Sequence, residues 1–453
     1  MHNLRGKHPN NLADPRGAHG AKFGSVRRFC ALLVALVAWT RPATAAADES
    51  APPDKNATIT DTSLRADAEM RFRGAGGSHL DGLGDSYRNA NTGWFQRSRV
   101  GLLLEHEQLA AYLQLQSSGA LGAAGPGSDP MPLGMQQGWL RARAQFAEEL
   151  WLDAGRFVLD YGAGRQIGAY DYDAVGQSFD GVRAHYAIAK RLTAEVFSAR
   201  LKPGAAGSEV RRGLSGTHLS ATPGELLKAE VYVLYLVDDN ADERSNLLTM
   251  GSRLVGGPWL GLSAEVEGAV QVGERRHSLN LRPTDRVAWM AAGEANYRIT
   301  GRIPVSFGLF GHIFSGNNDA TDTTDRAWQP LYPSKDLLVG LLRVFNPSNL
   351  AQAGARLQWT SPNPAWPLTI SADGRQSLAG AGGAMPAFGG AAVPGDHGWQ
   401  SLATEVDVRV RWRVLASSEL MVAAASLVGS SLLVREYHMD RAAMALLQWT
   451  TRL

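Results

Sequence analysis

The chain has 453 residues, of which 44% are hydrophobic and 19% are charged, with 50 glycines and a single cysteine. This length allows either two soluble domains or one large barrel. The formal net charge of +2 gives no basic excess of the kind that nucleic-acid binding requires, so no nucleic-acid partner is expected.

The first 47 residues have the pattern of a secretory signal peptide. Arg27 and Arg28 precede an apolar run at 29–39, and small residues follow it, which is the charged, apolar and cleavable order of an export signal. The alternative is a buried N-terminal helix. Cleavage would remove Cys30 and so exclude disulfides and cysteine sites. It would also take away seven of the 45 Lys and Arg residues and one of the 43 Asp and Glu residues, which leaves a net charge of about −4.

Residues 48–61 are then expected to form a short periplasmic segment. From residue 62 onwards, apolar and polar residues alternate with a period of two. In 63–74, Leu64 and Phe72 share an apolar face opposite a charged one. Such strands of ten or more residues exceed the usual length of about 5–6 and match the roughly 9–11 of a membrane-spanning strand. No transmembrane helix is expected, because no apolar run reaches about 18 residues. The sequence predicts one all-β transmembrane antiparallel barrel over 62–453.

Eighteen strands are predicted. Their bounds are 62–74, 92–107, 109–118, 136–147, 149–158, 178–189, 192–201, 213–222, 226–238, 246–256, 259–272, 285–298, 302–314, 349–360, 366–376, 401–414, 418–429 and 441–453. The connections alternate between short and long, as do the periplasmic turns and extracellular loops of outer-membrane barrels. The apolar stretch 337–345 is placed in the longest loop, because a nineteenth strand would break this alternation. A soluble antiparallel protein is the alternative.

The connection between the fifth and sixth strands contains an unusual mixture of arginines, acids, tyrosines and glycines. Residues 155–183 read GRFVLDYGAGRQIGAYDYDAVGQSFDGVR, and the glycines interrupt any helix or strand. A connection this long is usually functional or disordered, and its interleaved aromatic and charged residues argue against disorder. We expect 160–177 to be an external loop, with folding into the barrel left open, and its charges to form a salt-bridged collar near the mouth or the constriction.

Several motifs resemble the alginate-export family of eighteen-stranded outer-membrane porins. They are GR at 155–156, YGAGRQIG at 161–168, SFDGVR at 178–183, LYP at 331–333 and EVDVRVRW at 405–412. The resemblance implies a channel in the outer membrane of a Gram-negative bacterium, without a cofactor. Its arginine-lined constriction would pass an anionic polysaccharide. Outer-membrane lipid and periplasmic export proteins are the partners that it implies.

Carried over by position, the resemblance implies lumen arginines at Arg156, Arg165 and Arg183, with Asp180 as an acidic partner. It also implies, less directly, Arg97, Arg99, Arg141 and Arg143.

The alternation of side chains along each strand, or strand parity, predicts an overlapping set of lumen arginines. In 401–414 the valines must face lipid, since the opposite register would place Arg409 and Arg411 in hydrocarbon at about 2–4 kcal/mol each. The same reasoning turns other strand arginines inward, namely Arg97, Arg99, Arg141, Arg143, Arg183, Arg253 and Arg356. Guanidinium groups offer paired donors to carboxylates, and rings of arginine make anion-selective constrictions. The chain also supplies acids to pair with them, so a net-positive and an internally paired lumen both remain open.

The leading function is therefore passage of an alginate-like polysaccharide or another anionic solute. A general or specific uptake porin for small solutes is the alternative, and an outer-membrane enzyme or adhesin is the third class. No enzyme is expected, because no nucleophile motif such as GxSxG occurs. The Gly- and Ala-rich stretch 379–395 is predicted to be an external loop, with folding into the mouth as the alternative.

One acidic run in the longest loop is a candidate metal site. Asp319, Asp322 and Asp325 carry the oxygen ligands that Ca²⁺ prefers. A solvated acidic loop is the favoured interpretation, since the glycine and the closing glutamate of an EF-hand are absent. No other metal site is expected.

Overall fold

The computed structural model describes residues 62–78, 92–121, 133–201, 212–239, 243–277, 283–299, 304–318, 323–334, 338–386, 392–395 and 398–453. All of them belong to one compact unit, Thr60–Leu453. The predicted signal peptide, 1–47, and the segment 48–61 lie outside the described residues. Within the described ranges, no helix is both long enough and apolar enough to cross a membrane.

Eighteen long strands form a closed antiparallel barrel, which confirms the predicted architecture. The strands are Thr62–Ser78 (β1), Thr92–His106 (β2), Leu109–Leu121 (β3), Leu133–Ala144 (β4), Ala147–Phe157 (β5), Phe179–Ala189 (β6), Leu192–Leu201 (β7), Arg212–Gly224 (β8), Leu227–Asp239 (β9), Glu243–Trp259 (β10), Leu262–His277 (β11), Thr284–Arg298 (β12), Val305–Phe314 (β13), Leu350–Thr360 (β15), Leu368–Gly380 (β16), Trp399–Leu415 (β17), Ser418–Gly429 (β18) and Arg441–Arg452 (β19). Each pairs with its neighbours along the chain, and β1 pairs with β19. The sheet therefore has no free edge.

Two short elements lie in the long connections. The two-residue strand Thr324–Asp325 (β14) pairs in parallel with β12, within the connection between β13 and β15. The helix Ser431–Tyr437 (α1) precedes β19, and its N-terminus is capped by Ser430, whose side chain accepts from the backbone N–H of Leu433. A side-chain oxygen at this position satisfies a backbone donor that the helix leaves unpaired.

The alternation seen in the sequence becomes the two faces of the wall. In β17 the side chains of Val406 and Val408 are exposed on the outside, whereas Glu405 and Asp407 are buried inside. Successive side chains of a strand point to opposite faces, so apolar residues cover the outer surface and charged ones line the lumen. An apolar outer band is what hydrocarbon requires of a barrel wall.

Two-residue turns join six strand pairs at one end of the barrel, at 107–108, 145–146, 190–191, 225–226, 260–261 and 416–417. The long connections all emerge at the other end. In outer-membrane barrels the short turns mark the periplasmic end. The described residues 338–345 form no strand, which confirms that this apolar stretch belongs to the longest connection.

Apolar side chains from the long connections fill the extracellular half of the lumen. Phe157 and Phe179, at the ends of β5 and β6, pack in one buried cluster with Ile167, Trp328 and Phe345 from the connections. The stretch 379–395 was predicted to be external, but Met385 and Val393 in its described part are also buried in this cluster. The alternative, folding into the mouth, is what is observed there. The barrel is thus narrowed from within by its own loops.

Candidate functional site

The connection between β5 and β6, residues 158–178, folds into the lumen. Its first half is tied to the longest connection by backbone hydrogen bonds. Tyr332 N donates to Gln166 O at 2.8 Å, Gly168 N donates to Tyr332 O at 2.9 Å, and Ser334 N donates to Gly164 O at 2.9 Å. A Cβ on Gly168 would lie 2.2 Å from the Ser334 hydroxyl oxygen, so this close approach requires glycine. The segment 159–168 is the base of the loop.

Arg165 fixes this base to the wall. Its guanidinium binds Glu267 of β11 at 2.8 Å and also Glu265. Burial opposes the charged form of Arg165, but the two carboxylates outweigh burial and raise its pKa. This arginine, which the resemblance assigned to the lumen, therefore lies in the lumen as part of a closed ion-pair network.

The second half of the loop, residues 169–175, is its tip, and it docks on arginines of β1 and β2. The carboxylate of Asp171 lies 2.9 Å from Arg71, 2.9 Å from Arg97 and 2.7 Å from Arg99. Burial raises the pKa of Asp171, but the charges of Arg97, Arg71 and Arg99 outweigh burial and hold the pKa well below its usual range. Arg97 is buried and donates in addition to the backbone carbonyls of Asp171 and Asp173, at 3.1 Å each.

The longest connection also contacts the tip. Arg343 binds Asp173 at 2.6 Å, and its guanidinium lies 4.9 Å from the centre of the Tyr172 ring. Backbone N–H groups of Leu341 and Leu342 donate to carboxylates of β17, at 3.2 Å and 3.1 Å. Together the two inward segments form a constriction beside the wall.

A second group of arginines surrounds one buried carboxylate on the wall itself. Asp373 of β16 lies 2.8 Å from Arg356, 3.1 Å from Arg409 and 3.8 Å from Arg375. Arg411 is exposed, two residues nearer the periplasm, and forms no ion pair with any described residue. Arg409 and Arg411 line the lumen, on the face that strand parity predicts.

A third group lies on β4 to β6. Asp153 has no exposed side-chain surface and accepts from Arg141 at 2.6 and 2.9 Å and from Arg183 at 2.7 and 3.1 Å. Arg143 stacks on Trp151, with 4.4 Å between the guanidinium and the ring centre. These three arginines line the lumen, and Asp153 pairs with two of them, Arg141 and Arg183.

Two of the assigned lumen residues lie on the outside instead. Arg156 binds Asp180 at 2.6 Å. Asp180 shares its face of β6 with Val182, which is 57% exposed, whereas neighbouring Phe179 is fully buried inside. The lumen assignment is wrong for Arg156 and Asp180. Arg156 lies three residues after the lumen-facing Asp153, and Asp180 lies three residues before the lumen-facing Arg183. Two residues an odd number of positions apart on a strand point to opposite faces.

Two cavities flank the tip. The first, of about 350 Å³, is lined by six arginines and three acids, which are Arg71, Arg73, Arg356, Arg375, Arg409 and Arg411 with Asp171, Asp373 and Glu419. The second, of about 420 Å³, is lined by two arginines and four acids, which are Arg165 and Arg356 with Asp160, Asp171, Glu265 and Glu294. Burial raises the pKa of Asp160. The first, the basic cavity, suits anions, and the second, the acidic cavity, does not.

The predicted calcium candidate receives no support. Asp319 and Asp322 lie outside the described residues. Asp325 is already paired with Arg286, and in the described part of the chain no group of three His, Cys, Asp or Glu side chains is arranged to hold a metal ion.

Several site residues were missed by reasoning from sequence. Arg71, Arg73 and Arg375 lie on predicted strands, and simple alternation would have turned them inward. Asp171 lies in the stretch that was singled out, but nothing in the sequence links it to arginines that are 72 to 100 residues away. Arg343 belongs to an apolar stretch without periodicity and gave no signal.

Solved structures of outer-membrane proteins from Pseudomonas aeruginosa share this fold. OpdK with vanillate is 11% identical, with a TM-score of 0.59 over 86% of this chain and 98% of that one. OccK2 (OpdF) is 13% identical, with a TM-score of 0.59 over 86% and 97%, and OccD3 (OpdP) is 13% identical, with a TM-score of 0.56 over 87% and 91%. At such identities the likeness shows the fold alone. No curated protein matches the chain.

The family comparison is more specific than the fold. Residues 65–430 match the family described as alginate export, a range that runs from β1 to the end of β18 and contains all three arginine groups. The chain therefore belongs to the alginate export family of outer-membrane channels.

Proposed function

We propose that this outer-membrane channel passes anionic solutes, with an alginate-like polysaccharide as the first candidate. The observation that carries the proposal is the basic cavity, with six arginines against three acids on its lining. Family membership supports a polysaccharide as the solute. It also supports export as the direction of transport.

The chemistry of the lining suits carboxylates. Guanidinium groups stay charged at any physiological pH and offer paired donors. Arg411 is exposed and free of ion pairs among the described residues, so it is available to a passing anion at no cost in broken contacts. Narrow clefts lined by one sign of charge concentrate counter-ions, which favours anions at this point of the lumen.

Uptake of small anionic solutes is the second candidate, and one observation favours it. The inward segments leave cavities of about 350 and 420 Å³, the range of pockets that hold small molecules. OpdK, which shares the fold, is described with vanillate.

Planar bilayers test the proposal. Under a KCl gradient the reversal potential of the wild-type channel should show anion selectivity, and Arg411→Ala should reduce it. Arg156→Ala is the matched control, because it removes an arginine from the outer face and should leave selectivity unchanged. A cation-selective wild-type channel would contradict the proposal. Block by oligogalacturonate, compared with block by monomeric galacturonate, separates the two candidate solutes.

A further inference from the structure

The base and the tip of the inward loop are held by different kinds of contact. The base is secured by three backbone hydrogen bonds to residues 332–334 and by buried ion pairs of Arg165. The tip is held by the ion pairs of Asp171 and Asp173 and by hydrogen bonds from Arg71 and Arg97 to their backbone carbonyls. The tip also contacts the longest connection through Tyr170 N, which donates to the Ser334 hydroxyl at 3.3 Å. Contacts between charges can be exchanged for contacts with another anion, whereas the three backbone hydrogen bonds of the base cannot.

The tip also occupies a site with the composition of an anion receptor. Arg71, Arg97 and Arg99 converge on one carboxylate, that of Asp171. Without the tip, three guanidinium groups would face the lumen with Glu69 as their neighbouring acid. Charge-assisted contacts of this kind are among the strong hydrogen bonds of proteins. A carboxylate from solution would restore the charge balance that Asp171 now provides.

We propose that Asp171 is a built-in competitor of the permeating anion. Its carboxylate fills the Arg71–Arg97–Arg99 site in the narrowed state, and an anion that reaches this site displaces the tip and widens the passage. The inference rests on the proposed function, since it needs an anion in the lumen.

Position and backbone conformation both support this exchange. Asp171 and Tyr172 line both cavities, so an anion in the basic cavity already lies against the tip. Tyr170 has a φ of 54°, a backbone conformation that a bulky residue rarely adopts and that persists only where surrounding contacts impose it. Loss of the Asp171 contacts would release that constraint. An anion that binds the displaced state better than the docked state shifts the population toward it.

A spin label on the tip measures displacement directly. Val175 is half-exposed, and the chain has one native cysteine, Cys30, which is replaced by serine. The Val175→Cys protein is labelled, reconstituted in liposomes and titrated with oligogalacturonate. We expect the mobile fraction of the label to rise at least about twofold at saturation. With Asp171→Asn in the same background, the label should be mobile before any anion is added.

Glu419→Gln is the matched control, because it removes a carboxylate from the same cavity without touching the tip. Its label should stay immobile until the anion is added. If Asp171→Asn does not reach the membrane folded, Arg99→Gln removes one of the three ligands and should raise the mobile fraction in the absence of anion.

The outcomes separate this inference from the proposed function. An anion-selective channel whose label stays immobile with the anion present and in Asp171→Asn overturns the inference and leaves the proposed function standing. A cation-selective channel with an immobile label overturns both. Mobility that rises with oligogalacturonate, and is already high in Asp171→Asn, supports the inference.

Discussion

Replacement of Asp373 by asparagine should make the channel more anion-selective and less stable. Asp373 is 1% exposed and is the shared partner of Arg356, Arg375 and Arg409. Asparagine keeps the volume but removes the charge, so three guanidinium groups lose their carboxylate and turn to other acceptors. The lining of the basic cavity changes from three acids to two.

The size of the effect follows from Coulomb's law. A unit charge removed about 6 Å from a permeating anion changes its energy by about 0.7 kcal/mol at a dielectric constant of 80 and by about 3 kcal/mol at 20. The lower value corresponds to about a threefold change in relative anion permeability. Removal of one partner from a buried ion pair costs about 3–5 kcal/mol. The lower end applies here, because the asparagine oxygen still accepts one hydrogen bond.

The assay is the reversal potential under a KCl gradient, with urea unfolding of the purified barrel followed by its heat-dependent mobility on gels. Glu419→Gln removes the same charge from the same cavity but breaks no ion pair among the described residues. It should shift selectivity by about threefold without loss of stability. Selectivity that is unchanged or moves toward cations in Asp373→Asn would refute the reasoning.

Three further predictions concern other parts of the site. Asp153→Ala should lower the free energy of unfolding by about 3–5 kcal/mol, whereas Asp180→Ala on the outer face should lower it by about 0–1 kcal/mol. Urea unfolding measures both, and equal losses would contradict the placement of Asp180 on the outer face. Because burial raises the pKa of Asp160 above its ordinary 3.8, its negative charge is lost as pH falls through the raised pKa. Anion selectivity should therefore increase there, and an Asp160→Asn channel that keeps the same pH step would argue against this assignment. Gly168→Val should loosen the base of the loop, because its Cβ would meet the Ser334 side chain, and limited proteolysis at 158–178 should then be faster than in wild type.

Most of the wall could be predicted from sequence, because a barrel strand obeys one local rule. Alternation fixes both the strand and the face of each side chain, so Arg97, Arg99, Arg409 and Arg411 were placed by parity alone. The same rule would have corrected the assignment of Arg156, which came from resemblance and not from the strand. A match to a family motif indicates that a residue type recurs at that position, but only the strand register indicates which face of the wall its side chain occupies.

The positions of the loops in the sequence could be predicted, but their conformations could not. Segment 158–178 has no periodicity, and its contacts join residues far apart in sequence, such as Asp171 with Arg71 and Arg343 with Asp173. Each contact depends on where another loop already lies. Arg343 needs the tip of segment 158–178 beneath it, and the tip needs Arg71 and Arg97 on the wall. No single stretch contains the information that places any of them.

Net charge was a poor guide to the lumen for a related reason. The mature chain is expected to carry about −4, which by itself argues against a positive passage, yet the basic cavity has twice as many arginines as acids. The acidic cavity on the other side of the tip has the opposite balance. A passing solute responds to the charges within about a Debye length of it, roughly 8 Å at physiological salt, and not to the total. Glutamate-to-glutamine substitution at Glu419 neutralises a charge in the basic cavity, and the same substitution at Glu294 neutralises one in the acidic cavity. The two substitutions should therefore change the energy of an anion held against the tip by different amounts.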